Sequence, residues 1–562
     1  FLLCGGLVNA SNLVSKTNTL IGTQGNGWAS GYLYPGATYP FGMVQFTPTY
    51  FTKQLGFVIN QLSGAGCDHM GNFPTLPIAG ALRVSPDSIL NMQTPVGKEI
   101  GTAGYYAATV DHSIRAELTV TERTGMARYT FSSKEKQGTV IIGGGVAATS
   151  IQVAAIKITG PHSCEGYAEG GAFCGIPTPY KVYFVAEFDA DAESFGTWKE
   201  ERLHANHTFA EGNHSGVYFT FPLKEGNQAV QYKIGVSYVS VENARENLRV
   251  ENPAWDFSAV RQATQDKWNE YLGKIEVEGD NEDRQMQFYT HLYRSLIHPN
   301  VCSDVNGEYM GADSQVHKTA RKFYTSFSNW DTYRTQTALI AMLAPEETSD
   351  IVMSHYLFAE QSGGGFPRWV LANIETGVMQ GDPTPILVAN AYAFGARNYD
   401  PRTLLRTMRY GAEVPGANSQ GVLTRPGLEQ YLEKGYYDAS ILLEYTSSDF
   451  AIGRFALQAC NDEPVCNWYT QRAMNWKNLF NKETGWLQSR NEDGSWKRYD
   501  ADWRESTYKN YFWMVPYDLQ GLIDSIGGKE AAEKRLDEMF RRLDASYGDE
   551  WFASGNEPSF QI

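Results

Sequence analysis

The sequence predicts a mixed α and β multidomain protein, an N-terminal antiparallel β-sandwich followed by a helical α/α toroid. Three observations carry this expectation. From about Ser15 to Ala254, short alternating runs such as Ala116–Thr121, Ala127–Phe131 and Lys181–Ala186 are separated by Gly-, Asn- and Asp-rich breaks, the spacing of a large sandwich. After Asn252-Pro253 the apolar period lengthens, with Phe257, Val260, Trp268 and Tyr271 recurring on one face. From Asn281 onward, segments with apolar residues at i, i+3 and i+4 alternate with long loops rich in Gly and Trp.

In chain order, residues 1–14 read as a signal-peptide remnant and lead-in. Phe1–Ala10 is apolar and closes on the small-x-small pattern Val8-Asn9-Ala10; a buried strand is the competing reading. Residues 15–252 form the expected sandwich and 253–280 a linker, with a brief return to strand at Lys274–Val277. Residues 281–562 form the helical domain. Helices are expected over Arg284–Leu296, Tyr333–Leu343, Ser349–Gln361, Thr384–Gly395, Thr403–Gly411, Ile441–Ala459, Cys466–Leu479, Tyr508–Ile526 and Lys529–Leu543.

With 562 residues, 42% of them hydrophobic, the chain holds ample apolar material for more than one core. Its formal charge of −16 argues against nucleic acid and anionic membrane surfaces as partners. No apolar run is long enough to span a bilayer. Of the seven cysteines, six follow Ala10. Cys164 with Cys174, and Cys460 with Cys466, are spaced for local disulfides in an oxidising compartment. Asn206-His207-Thr208 and Asn213-His214-Ser215 match glycosylation acceptors.

Chemistry concentrates in a few loops. Glu505 lies among large aromatics between Trp503 and Tyr511-Phe512-Trp513, at the start of a segment that reads as a helix. A carboxyl excluded from water by apolar rings holds its proton to higher pH, as a general acid requires. The helix dipole favours an acid at that place as well. Asp331, between Trp330 and Arg334 in Asn329–Thr335, is placed to cap a helix; the same three residues offer an acceptor, a stacking face and a donor for a sugar. Phe366-Pro367-Arg368-Trp369 ends a Gly-rich loop without the Lys-Ser/Thr of a phosphate loop. Gly555-Asn556-Glu557-Pro558 sets an amide and a carboxylate in a turn, oxygen donors suited to calcium; a plain turn accounts for the same residues. No nucleophile elbow, His-Glu-x-x-His or dinucleotide fingerprint stands out.

Together these motifs resemble glycoside hydrolase family 92, the calcium-dependent, inverting exo-α-mannosidases. The resemblance rests on Tyr34–Gln45, Leu62–Cys67, Leu296–Asn300 with Ser303-Asp304-Val305, Trp330–Arg334, Phe366–Trp369, Asn478-Leu479-Phe480 with Glu483-Thr484-Gly485, Val515–Asp518 and Gly555–Pro558. It implies an (α/α)6 barrel after the sandwich, Ca²⁺ as cofactor, mannose-containing glycans as partners, and a secreted or periplasmic location. It assigns Glu505 as general acid. Trp330, Asp331, Arg334, Tyr34, Arg368, Trp369 and Thr507 become sugar-binding residues, Thr507 standing where the family has an Asn. Asn556 and Glu557 become calcium ligands. Family members run on into a loop that carries the general base, so the resemblance further implies a fragment lacking both termini, with the barrel incomplete at the C-terminus, the base beyond residue 562 and no activity of its own. Linkage and oligomeric state stay open. Two other readings are a homologue that binds glycans without cleaving them, and another sandwich-plus-toroid glycosidase or phosphorylase.

Overall fold

The structure is a computed structural model, and it describes residues 12–23, 31–49, 56–87, 96–224, 228–542 and 545–562. The expected signal-peptide remnant up to Ala10 lies outside these residues. Two compact units emerge, Phe1–Met310 with Val316–Ser326, and Gly311–Gln315 with Phe327–Ile562.

The first unit holds two antiparallel sheets. One orders its eight strands as Ala37–Thr38, Gln45–Pro48, Phe57–Val58, Thr75–Ala79, Gln137–Gly143, Ser215–Pro222, Ser194–Lys199 and Arg202–Ala205. The other runs Phe209–Glu211, Ile151–Gly160, Ser163–Phe173, Ile176–Phe188, Ala229–Ser237, Thr124–Thr130, Ile114–Val120, Tyr105–Val110 and Val96–Thr102. Alternation directs one face of each strand inward, and rings from the two sheets meet there. Phe57 lies 6.3 Å from Tyr106 and 6.4 Å from Tyr129, and Phe188 lies 5.0 Å from Phe219. The sandwich expected from the period-2 runs is present.

Helices flank this unit. Val241–Glu251 is capped by Ser240, which accepts from the Asn243 amide at 3.0 Å, and it buries Ala244 and Leu248 against Val185. Phe257–Leu272 starts at Asp256, which accepts from the Ala259 amide at 2.9 Å, and it sets Phe257 against Tyr105 and Met126. The strand expected at Lys274–Val277 does not form. The first residues of the segment turn back onto the preceding helix, the Lys274 and Ile275 amides donating to the Tyr271 and Leu272 carbonyls, and the Val277 amide donates to the Tyr289 hydroxyl.

The second unit is helical around one apolar core. Its longest helix, Ala439–Cys460, contributes Leu442, Leu443, Ile452 and Phe455, and Thr384–Ala393 adds Leu387, Val388 and Ala391. Most expected helices are present with ends shifted by a few residues, and Leu428–Lys434 is an additional one. Tyr508–Ile526 is not continuous. It splits into Tyr508–Tyr511 and Leu519–Ser525, because Pro516 lacks an amide proton and restrains Val515 before it.

The cysteines also depart from expectation. Cys174 bonds Cys67, with Cα atoms 5.2 Å apart, while Cys164, Cys460 and Cys466 are free thiols. Cys164 and Cys174 sit at opposite ends of the strand Ser163–Phe173, roughly 30 Å apart at the rise of extended chain, whereas a disulfide spans at most about 7 Å between Cα atoms. Cys460 closes one helix and Cys466 lies in the next; neither is bonded.

Candidate active site

The second unit gathers the acids singled out in the sequence. Asp331 lies in the short turn of helix Asn329–Thr332. It does not cap that turn. Ser328 holds the cap position without a side-chain bond, and the Asp331 carboxylate accepts from the Trp369 indole N–H at 3.2 Å. Trp330 is wholly buried. Its indole N–H donates to Glu444 at 2.9 Å and its ring lies beneath the Arg334 guanidinium at 4.6 Å. Tyr333 donates its hydroxyl to the other Glu444 oxygen at 3.0 Å, and Arg334 reaches Glu444 at 3.4 Å. The turn therefore hangs on a buried carboxylate that sequence reading missed. Its signal was visible: Glu444 is an acid within the apolar run Ile441–Tyr445, and a buried charge requires partners.

Arg368 and Trp369 are fixed by a second buried acid. Glu375 accepts from the amides of Arg368 at 2.6 Å, Trp369 at 3.2 Å and Gly377 at 2.9 Å. The Arg368 guanidinium donates to the carbonyls of Gly381 at 3.0 Å and Leu423 at 3.1 Å. Its known bonds are thus to backbone, while Trp369 is the member of this loop that touches Asp331.

Glu505 stands in a left-handed conformation with φ of 50°, a strain of about 1–3 kcal/mol for a residue with a Cβ. The turn at the end of the chain is tied to it, since the Asn556 side-chain amide donates to the Glu505 carbonyl at 2.6 Å. Asn510, wholly buried, joins the same two segments. It donates to the Thr507 hydroxyl at 3.3 Å and the Trp551 carbonyl at 3.0 Å, and accepts from the Ser559 hydroxyl at 2.9 Å. Thr507 itself precedes the helical turn Tyr508–Tyr511. Tyr34 belongs to the first unit, where it is wholly buried and its hydroxyl has no partner among the described residues.

Electrostatics link the acids. Burial raises the Asp331 carboxyl well above the ordinary carboxylate range; the charges of Glu557 and Glu505 add to this, while Arg334 and the Trp369 N–H oppose it. Burial likewise raises Glu557, reinforced by Glu505 and opposed by Arg334. Glu505 is raised by burial against the pull of Asn556 and Arg504. Three carboxyls raised above the ordinary range, with Arg334 acting on two of them, make an arrangement suited to donating a proton and to binding a neutral polyol or a cation.

Comparison with known proteins decides the family. The model of the glycosyl hydrolase family 92 catalytic domain matches residues 243–562, and that of the family 92 N-terminal domain matches residues 17–237. The chain belongs to glycosyl hydrolase family 92. It is a glycoside hydrolase, with the sandwich and helical domain of that family. It is 25% identical to a family 92 α-mannosidase of Bacteroides thetaiotaomicron, with a TM-score of 0.87 over 98% of this chain and 77% of that one. That enzyme is also known in complex with mannoimidazole. A family 92 inverting mannosidase of the same organism is 26% identical, with a TM-score of 0.85 over 95% of this chain and 75% of that one. An uncharacterized secreted glycosidase of Arthroderma benhamiae is 25% identical, aligned over 98% of this chain and 76% of its own length. No helix among the described residues is long and apolar enough to cross a membrane.

Proposed function

We propose that this family 92 glycosidase is an exported enzyme that releases terminal α-linked mannose from glycans, with inversion and with calcium. The observation that carries the reading is the buried Trp330–Arg334 turn, with the Asp331 carboxylate held by Trp369 and the Glu505 segment tied to Asn556, in a chain akin to α-mannosidases. Glu505 is the general acid. Burial raises its carboxyl above the usual carboxylate range, and it donates its proton to the glycosidic oxygen as the bond to the leaving sugar breaks. Asp331 and Arg334 are an acceptor and a donor for sugar hydroxyls, and Trp369 keeps the Asp331 carboxylate oriented. Tyr34, Trp330, Arg368 and Thr507 remain part of the proposed sugar-binding set, Trp330 acting through its hold on the turn. We assign no residue of 1–562 to the activation of water.

Asn556 and Glu557 fit calcium by chemistry, an amide oxygen and a carboxylate in an acidic setting. Among the described residues no three His, Cys, Asp or Glu side chains stand close enough to hold an ion alone. Its further ligands would be carbonyls, water and sugar hydroxyls, within the six to eight oxygens calcium takes. Such an ion supplies positive charge that offsets the clustered carboxylates. The Cys67–Cys174 disulfide and the exposed acceptors Asn206 and Asn213 support export.

The test is mannose release from α-1,2-, α-1,3-, α-1,4- and α-1,6-linked mannobiosides by the full-length protein, followed by proton NMR with calcium and with chelator. The expected result is release on at least one linkage, with β-mannose appearing first and with loss of release under chelation. α-Mannose as the first product contradicts inversion, and full activity in chelator contradicts the role of calcium.

A further inference from the structure

Glu444 has no assigned part in the chemistry, yet its surroundings are unlike those of an ordinary buried ion pair. It is wholly buried in the helix Ala439–Cys460, and its partners are three side chains from a single turn, Trp330, Tyr333 and Arg334. Asp449, one and a half turns further along the helix, offers a contrast. It is saturated by Arg425 at 2.7 Å, by Arg472 at 2.5 and 2.7 Å and by the Tyr431 hydroxyl at 2.6 Å. Arg334, at 3.4 Å, is held more loosely. Among the described residues its Nη1 has a hydrogen bond only to the Met514 sulfur, at 3.6 Å, and its buried Nε has no partner. The guanidinium is oriented by Glu444 without being used up by it.

The helix also touches the Arg368 loop at this residue. Gly381 has φ of +75°, and a Cβ there would come within 2.6 Å of the Glu444 Cβ, closer than side chains approach. The Gly381 carbonyl in turn receives the Arg368 guanidinium.

We propose that Glu444 is a positioning residue of the active site, the fixed acceptor that orients the Trp330–Arg334 turn, and with it Asp331, and holds the Arg334 guanidinium over the Trp330 ring. The inference rests on the mannosidase reading of this site. Removing the Glu444 carboxylate leaves the Tyr333 hydroxyl and the Arg334 guanidinium without the acceptor that holds them inside the core. The turn that carries Asp331 between Trp330 and Arg334 then loses its anchor.

The experiment compares the unsubstituted full-length protein with Glu444→Gln, Glu444→Asp and Trp330→Phe. It measures mannobioside kcat and KM across pH, calorimetric binding of methyl α-mannoside, and Tm. Glu444→Gln is expected to lower kcat/KM about 100-fold through misplacement of the turn, with methyl α-mannoside binding weakened alongside. Glu444→Asp, which keeps the carboxylate on a shorter side chain, is expected to recover part of both losses. A purely structural role would lower Tm in both variants while the folded protein binds and cleaves mannosides as the parent does, and that result overturns the proposal. If Glu444→Gln does not fold, Trp330→Phe, which removes one donor from the same carboxylate, decides. A fall in kcat/KM of about tenfold, roughly the worth of one hydrogen bond to a charged group, supports the proposal; unchanged kcat/KM overturns it. An unsubstituted protein that neither binds nor cleaves mannosides overturns the functional reading together with this inference. One that does both, with Glu444→Gln indistinguishable from it, overturns the inference alone.

Discussion

Asp331 shows how a residue suited to a site is costly to the fold. Its carboxyl is raised by burial and by the neighbouring charges of Glu557 and Glu505, so the folded state holds the proton more tightly than the unfolded chain. A raised acid contributes stability that is fully present below its unfolded value, about pH 4, and is lost as pH rises through its folded value. Asp331 therefore costs the folded state stability at neutral pH, where the unfolded chain ionises freely. Asp331→Asn is expected to raise Tm at pH 7 in chelator, with the gain shrinking toward pH 4. A variant less stable than the parent at pH 7 contradicts the assignment. The sequence revealed Asp331, Glu505 and Glu557 because acids among aromatics or in Gly- and Pro-bounded turns are conspicuous. It concealed Glu444, Glu375 and Asn510, whose roles depend on partners 41 to 114 residues distant for Glu444 and Asn510, and on amides rather than side chains for Glu375.

At the scale of elements, strands were legible because a half-buried sheet imposes a two-residue period, and helices because one apolar stripe faces a core. Where a local pattern needed a neighbour, it misled. Lys274–Val277 has the alternation of a strand but starts as a turn off the helix Phe257–Leu272, and Tyr508–Ile526 keeps helical spacing across the break before Pro516. That break matters for the site, since it leaves a single turn, Tyr508–Tyr511, to carry Asn510 between the Glu505 segment and the Asn556–Glu557 turn. Asn510→Ala orphans the Trp551 carbonyl and the Ser559 hydroxyl, at about 1–3 kcal/mol for each buried group left unpaired. Denaturant unfolding is expected to show that loss, with calcium required at higher concentration for activity. Unchanged stability would mean that Asn510 does not join the two segments.

At the scale of the whole molecule, the disulfide is the feature that sequence proximity hid most fully. Cys67 and Cys174 are 107 residues apart, and only the meeting of a loop with the end of a strand brings them together. A cross-link closing a loop of that length stabilises by about 4–5 kcal/mol in the chain-entropy account. Cys67→Ser is expected to lower the Tm of the protein by roughly 10 °C or more, at about 2–4 °C for each kcal/mol in a domain of this size, and Cys164→Ser to lack this effect of the cross-link. Equal stability of Cys67→Ser and its parent would contradict the pairing.

The central claim is that Glu505 protonates the leaving sugar, and leaving-group dependence tests it most directly. A sugar leaving group needs a proton, whereas 2,4-dinitrophenolate does not. In Glu505→Gln, kcat/KM for a mannobioside is expected to fall by about 10²–10⁴-fold, while 2,4-dinitrophenyl α-mannoside is cleaved at close to the parent rate. Equal losses on both substrates, or near-normal mannobioside cleavage, would contradict the assignment.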